Sequence, residues 1–308
     1  MNIYKKKILN TLYSYFKARK LLLLLGMVPF SLGKDRIGYE ILRERLNLGI
    51  QRTLKRRYFK KNIYENYNSI KLKNINSDNI IWFMWLQGID NAPDLCKANF
   101  HYLNKKFPDT VELITKDNVF KYIDIPEFIK LKWKNGYISN THFSDIVRIQ
   151  LLCTYGGTWI DSTVVVKPDF ILNLPDFQIP QTYGPGRNGH SVSVSNWFMH
   201  SQGTSKFLNR VRDLLFEYWK NNDRALDYFI FHHFLMIASL EMDNYLDKIP
   251  PLDNTLPHYL MLKMRQQPFS KAEMTKYLQH FELMKFTNKI ENGVEENNYK
   301  LLVELLQY

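Results

Sequence analysis

The chain has only two cysteines in 308 residues, Cys96 and Cys153, too few for a disulfide framework. Both fall in stretches that read as helix, where free cysteine ordinarily serves as a small buried hydrophobe. No Asn-x-Ser/Thr sequon occurs anywhere, and the two absences together lean towards a reducing, cytosolic compartment. No segment reaches the roughly 20 apolar residues that span a bilayer. The longest apolar run, Leu21 to Phe30, follows Lys5, Lys6, Lys7, Lys17, Arg19 and Lys20. That order imitates a signal peptide, but the basic stretch is too long, no clean small-x-small cleavage site follows, and another basic stretch comes next.

Acidic residues are scarce in one region. Residues 1–75 carry eighteen Lys/Arg and four Asp/Glu, a net +14, whereas 76–308 carry twenty-four and twenty-six, a net −2, giving +12 overall. The positive excess therefore belongs to the first quarter. This divides the chain into a basic arm, 1–75, and an electrostatically ordinary domain, 76–308. The 45% apolar content supplies a sizeable core and excludes a disordered chain. The arm reads as two amphipathic helices, about 4–24 and 36–60, with apolar faces bearing Ile8, Leu12, Phe16, Ile41, Leu42, Leu46 and Leu54. Such helices can lie on an anionic membrane surface through residues 1–60, each Lys or Arg there contributing on the order of 1 kcal/mol. The same pattern also describes a solvated cap packed on the domain. Nucleic acid is the third partner that the charge suggests. The arm carries no reading motif for it, and its apolar faces suit lipid or core packing better.

From residue 78 onward, strand and helix signals alternate. Asn79 to Leu86 is a continuous apolar run closed by Gln87-Gly88, the pattern of a buried strand ending in a turn. A helix over Ala92–Lys106 and a strand over Val111–Thr115 complete a βαβ unit. A long apolar helix over Thr141–Tyr155 stops at Gly156-Gly157, and a strand over Thr158–Val166 contains the acid Asp161. Residues 175–205 read as loop with one strand, followed by helices at about 205–221 and 224–240. This alternation predicts an α/β sheet covered by helices, with its ligand site at the carboxyl ends of the strands.

Asp161 is the first candidate functional residue, because a carboxylate within an apolar strand is costly to bury unless a cation or donor meets it. Asp145 and Arg148, three apart on one face of an apolar helix, form either a structural ion pair or part of a site. His232-His233 sits in an aromatic helix and reads as core. Gly184 to Gly189 lacks the Lys-Ser/Thr ending of a phosphate loop and reads as a mobile loop over the site, carrying Arg187.

Taken together, FSDIVRIQLLCTYGGTWIDSTVVV (143–166), IIWFMWLQGIDNAPDL (80–95), NWFMHSQGTSKFLNRVRDLLFEYWK (196–220), DYFIFHHF (227–234), Leu256-Pro257-His258 and GMVPFSLGKDRIGYEILR (26–43) resemble the capsular polysaccharide synthesis glycosyltransferases. That family is similar to glycosyltransferase family 32. The resemblance implies a GT-A-type, Rossmann-like nucleotide-sugar-binding domain with an N-terminal helical arm and additional C-terminal helices. The implied activity is transfer of a hexose from a nucleotide-diphosphate sugar, a UDP-sugar, to a lipid-linked oligosaccharide, with retention, at the inner face of the plasma membrane. By the same resemblance, Asp145, Arg148 and Asp161 are catalytic. Trp82 or Trp85, Gln87, Ser162, Asn196 and Trp197 would join them in binding the donor. Asp161, Thr163 and His258 would hold Mn2+ or Mg2+. Thr163 stands where the family's Asp-x-Asp has its second acid, and a hydroxyl is a much weaker ligand for a hard cation than a carboxylate. That departure leaves open a non-catalytic polysaccharide-assembly protein that keeps the fold with a degenerate site.

Overall fold

A computed structural model describes residues 12–13, 15–31, 36–67, 71–72, 75, 79–183, 191–203, 205–291 and 293–307. In chain order the elements are α1 (Leu21–Ser31), α2 (Arg36–Tyr58), β1 (Ile81–Met84), α3 (Asp94–Lys106), β2 (Val111–Ile114), α4 (Val119–Tyr122), α5 (Glu127–Lys134), α6 (Asn140–Tyr155), β3 (Gly157–Ile160) and β4 (Val164–Val166). There follow α7 (Pro168–Leu172), β5 (Phe177–Gln178), β6 (Phe198–Ser201), α8 (Lys206–Asn221), α9 (Ile230–Glu241), α10 (Tyr259–Gln266), α11 (Lys271–His280), β7 (Leu283–Lys285) and α12 (Val294–Gln307).

The central sheet has the order β2-β1-β3-β6-β5. β1 lies parallel to both β2 and β3, β6 runs antiparallel to β3, and β5 runs antiparallel to β6. The expected βαβ unit is present as β1–α3–β2. β1 explains why its sequence is apolar without alternation: Trp82 and Met84 enter one core while Ile81 and Phe83 enter another on the opposite face. The architecture is mixed α/β with a partly parallel sheet, compatible with a Rossmann-like fold.

α6 is the buried spine of the larger core, with Phe143, Ile146, Val147, Ile149, Leu151 and Leu152 wholly inaccessible. Ser139 caps it by accepting from the His142 N–H. It packs on α8, whose face of Phe207, Leu208, Val211, Leu214 and Leu215 is buried. Each such side chain contributes about 1.5–3 kcal/mol by leaving water. A third core joins α3, α10, α11, α12 and β7.

Two elements differ from the sequence expectation. The apolar strand expected over Thr158–Val166 is two strands in two sheets. The chain turns at Asp161-Ser162-Thr163, with the Val164 N–H donating to the Asp161 carbonyl, and β4 then pairs with β7. The first arm helix, expected over about 4–24, breaks at Ala18–Lys20, where Arg19 has φ 58°, and α1 begins at Leu21. The second runs Arg36–Tyr58, with Leu42, Leu46 and Leu54 buried and Ile41 exposed. Of the first helix's apolar residues, Leu12 and Phe16 are exposed and Ile8 lies outside the described residues. Through Ile50, Leu54 and Tyr58, α2 shares the core of α8 and α9. Cys96 and Cys153 are free and buried, and His232 and His233 are core residues, His233 pairing with Asp227 at 2.8 Å.

Two buried histidines set a pH dependence. His200 on β6, facing Thr158 Oγ1 at 2.8 Å, and His232 on α9 are each pushed down to about 4 by burial. Between pH 6.5 and 4 the unfolded chain therefore binds protons that the folded chain refuses, and stability falls as pH drops through that window. The shift corresponds to about 3 kcal/mol per histidine. Urea unfolding measured from pH 7.5 to 4 should show this slope, and it should flatten in the His200→Gln/His232→Gln protein.

Candidate active site

The crevice opens at the carboxyl ends of β1 and β3. Trp85, Leu86 and Gln87 follow β1, Asp161 and Ser162 follow β3, and Asn140, Thr141 and Ser144 come from the first turn of α6. Together they line a cavity of about 310 Å³. An adjoining, more apolar cavity of about 580 Å³ shares Leu86, Gln87 and Asn140 and adds Phe120, Trp133 and Lys116.

The turn from α6 into β3 needs glycine at both positions. Gly156 and Gly157 have φ +75° and +89°, and a Cβ on Gly157 would sit 2.5 Å from the Ile80 carbonyl oxygen. This close approach lays β3 against β1 and directs Asp161 into the crevice.

Around Asp161 the side chains form one charged knot. Arg148, 3% exposed, lays its guanidinium 4.6 Å from the centroid of the Trp159 ring. Its Nη1 donates to Asp145 Oδ1 at 3.1 Å and its Nη2 to Asp161 Oδ1 at 3.0 Å. The Trp159 indole N–H donates to the same Asp161 oxygen at 2.9 Å. Asn196 Nδ2 donates to Asp145 Oδ1 at 2.7 Å. Lys285, from β7, donates to Asp161 Oδ2 at 3.2 Å and to Thr163 Oγ1 at 2.8 Å. Burial would raise the Asp161 carboxyl, but the charges of Lys285 and Arg148 and the donors Trp159 and Lys285 outweigh it and hold it below the usual range.

The structure thus brings together Asp145, Arg148, Asp161, Thr163 and Asn196, and places Trp85, Gln87 and Ser162 on the cavity wall. Trp82 is not in the crevice. It is wholly buried, its indole donating to the Gly156 carbonyl and its ring lying against Tyr122 and Tyr155, so of the two tryptophans Trp85 alone lines the cavity. Trp197 is also buried. Its indole donates to Asn254 and its ring meets the edge of His258, while its carbonyl accepts from the Asp161 N–H. Gly184–Gly189, with Arg187, lies outside the described residues.

Sequence reasoning did not single out Lys285, Trp159 or Asn99. Asn99, on α3, donates to the carbonyls of Ser162 and Val164 and so pins the acid turn from below. A signal for Lys285 is present: it is the lone charge in the apolar stretch Leu283-Met284-Lys285-Phe286.

The residues expected to hold a divalent cation do not fit one. Asp161 Oδ1 already accepts two N–H groups and Oδ2 faces an ammonium, while Thr163 accepts from that same ammonium. His258 has Nδ1 engaged with the Asn254 carbonyl at 2.9 Å and its pKa lowered chiefly by burial. Among the described residues no group of three His, Cys, Asp or Glu side chains is placed to hold a metal.

A polar crevice at the carboxyl ends of parallel strands, walled by an aromatic pocket, is where α/β folds of Rossmann-like type place their ligands. A family model described as capsular polysaccharide synthesis protein matches residues 39–303, and the chain belongs to that family. It is also similar to the O-glycosyltransferase braB of Annulohypoxylon truncatum, 26% identical over 217 residues, which is 62% of this chain and 48% of that protein. The chain therefore spans about half the length of this curated relative.

Removing Arg148 strands two carboxylates. Arg148→Met should lower the unfolding free energy by about 3–5 kcal/mol. Adding Asp145→Asn to Arg148→Met should recover part of that loss. Urea titration measures both, and a cost below about 1 kcal/mol for Arg148→Met would show that the knot is solvated rather than buried.

Proposed function

We propose that the protein is a glycosyltransferase that moves a hexose from a nucleoside-diphosphate sugar, a UDP-sugar, to a lipid-linked oligosaccharide during capsular or other surface-polysaccharide assembly. The observation that carries this reading is the Asp161 carboxylate, held ionised by Arg148, Trp159 and Lys285 at the edge of the cavity. Glycosyl transfer develops positive charge at the anomeric carbon and negative charge on the departing diphosphate. A fixed carboxylate beside fixed cations stabilises both without reorganisation.

On this reading the domain is of GT-A type. The base and ribose occupy the apolar cavity beside Phe120 and Trp133, and the diphosphate and sugar extend past Gln87 to Asp161 and Ser162. The indole N–H of Trp85 is buried beside the cavity and has no acceptor among the described residues. Asp145, with Arg148 and Asn196 attached, keeps the guanidinium oriented towards the donor. Retention of configuration would follow if the acceptor hydroxyl attacks from the side of the leaving diphosphate.

Two features support a lipid-linked acceptor at a membrane surface. Leu22 and Leu25 on α1 are exposed, at 85% and 61%, and the preceding Lys17 and Arg19 are exposed as well. A cleft of about 700 Å³ next to that segment is lined by Tyr13, Lys17, Arg57, Tyr137 and Arg224, chemistry that suits a phosphate. No helix among the described residues is long and apolar enough to cross a membrane, so attachment would be peripheral.

Incubating the purified chain with a panel of UDP- and GDP-sugars should release nucleoside diphosphate from one of them, and Asp161→Ala should slow that release by about 10²–10³-fold. Binding of the nucleotide without turnover would favour a non-catalytic assembly protein, and absence of both would defeat the reading. Leu22→Glu/Leu25→Glu should reduce sedimentation with phosphatidylglycerol vesicles and leave turnover on a soluble acceptor intact. Unchanged sedimentation would make α1 a cap.

A further inference from the structure

We propose that the ammonium of Lys285 does at this site what a divalent cation does in an Asp-x-Asp glycosyltransferase, so that transfer proceeds without a metal ion. The inference rests on the glycosyltransferase reading and adds to it the identity of the group that meets the diphosphate.

The position of Lys285 is built by the fold. Once the chain leaves the central sheet at Asp161-Ser162-Thr163, β4 pairs with β7 in a register that sets Val164 opposite Lys285. The Phe286 N–H donates to the Thr163 carbonyl, locking the base of the lysine to the acid turn. From there Nζ reaches Asp161 Oδ2 and Thr163 Oγ1, the two side chains that stand at the first and third positions of the Asp-x-Asp pattern. The side chain is 16% exposed, so the ammonium is largely withdrawn from water, and its electrostatic interactions are strengthened accordingly. Its hydrogen bonds in the structure use two of three N–H groups, which leaves a third for a phosphate oxygen.

Charge balance points the same way. Two carboxylates with a dication present no net charge to an approaching diphosphate. Asp161 and the neutral Thr163 with one ammonium also present none. One ammonium therefore matches the single acid of this turn, whereas a dication added to the present knot would face Arg148 and Lys285 with only Asp145 and Asp161 to offset it.

In the step, the bond between the anomeric carbon and the β-phosphate oxygen breaks and its electron pair stays on that oxygen. Lys285 hydrogen-bonds to the phosphate and remains protonated. The acceptor hydroxyl oxygen forms the new bond to the anomeric carbon, and its proton passes to the departing phosphate. Asp161 offsets positive charge at the sugar.

The test is turnover of the donor by the purified full chain in EDTA and in Mn2+, with UDP affinity measured by calorimetry in EDTA. Wild-type turnover should be equal in the two buffers. Lys285→Ala should lower kcat by about 10²–10³-fold and weaken UDP binding by about tenfold or more in a protein that remains folded by circular dichroism. Lys285→Arg should restore part of both. Thr163→Asp/Lys285→Ala, which rebuilds two acids without the ammonium, should turn over in Mn2+ and not in EDTA. Wild-type activity lost in EDTA and restored by Mn2+ would overturn the inference while leaving the glycosyltransferase reading intact. So would a Lys285→Ala protein as fast as wild type, whereas no turnover or UDP binding in either buffer would defeat the glycosyltransferase reading itself. If Lys285→Ala does not fold, the wild-type comparison between EDTA and Mn2+ decides alone.

Discussion

Arg148 occupies a place where a guanidinium is expensive to keep. It projects from α6, whose apolar side chains are largely inaccessible, and it is tolerated because two carboxylates and an indole face meet it. Those partners come from two elements: Asp145 one turn earlier on α6, and Trp159 on β3 with Asp161 just beyond its end, β3 following after a two-glycine turn. The ion pair therefore fixes the angle between α6 and β3. The crevice residues these two elements supply are referenced to that angle, including Ser144 on the helix and Ser162 on the turn. A buried ion pair is weak support for stability, since well-packed apolar groups commonly do as well. Its role here is better explained by what it holds in place.

The second organising constraint is the corner at Asp161-Ser162-Thr163. Had the apolar run continued straight, Asp161 would alternate into one face of the sheet and need burial. Because the chain changes sheets there, the acid stands at a strand end, with the Asp161 N–H satisfied by the Trp197 carbonyl, the Thr163 carbonyl by the Phe286 N–H, and the Ser162 and Val164 carbonyls by Asn99. The small β4–β7 sheet is the consequence. It ties the C-terminal helices to the site and brings in Lys285, 124 residues away in sequence from Asp161.

Much of this was legible in the sequence, for identifiable reasons. The βαβ unit, α6 and its glycine stop, and the pairing of Asp145 with Arg148 all follow from local periodicity and spacing. Asp161 was legible because a carboxylate between Ile160 and Val164 demands a partner. The identity of the partner was not, since Lys285 reaches it through strand pairing that no local pattern encodes. Trp82 and Trp85 are three apart on an apolar run and look equivalent in sequence. Only the end of β1 separates them, one facing Tyr122 and Tyr155 in the core and the other the crevice. The corner was missed because Ser162 and Thr163 are compatible with strand, and the tertiary contacts of Asn99 and Phe286 override that preference.

The basic first quarter acquires a more specific meaning from packing than from charge. Its helix α2 presents Lys55, Arg56 and Arg57 in its last turn, where they also complement the helix dipole. Its opposite face, with Ile50, Leu54 and Tyr58, is sealed into the core that contains α6. The charge is thus carried by an element rigidly joined to the site, whereas Leu22 and Leu25 of α1 lie exposed. A flexible tether would only raise the local concentration of enzyme at a surface. A rigid one also fixes which way the crevice faces, and for an acceptor confined to a lipid surface orientation is part of the encounter probability. The fold therefore couples the basic arm to the site through packed side chains, α2 to α9 and α8, α8 to α6, and α6 through Arg148 to Asp161.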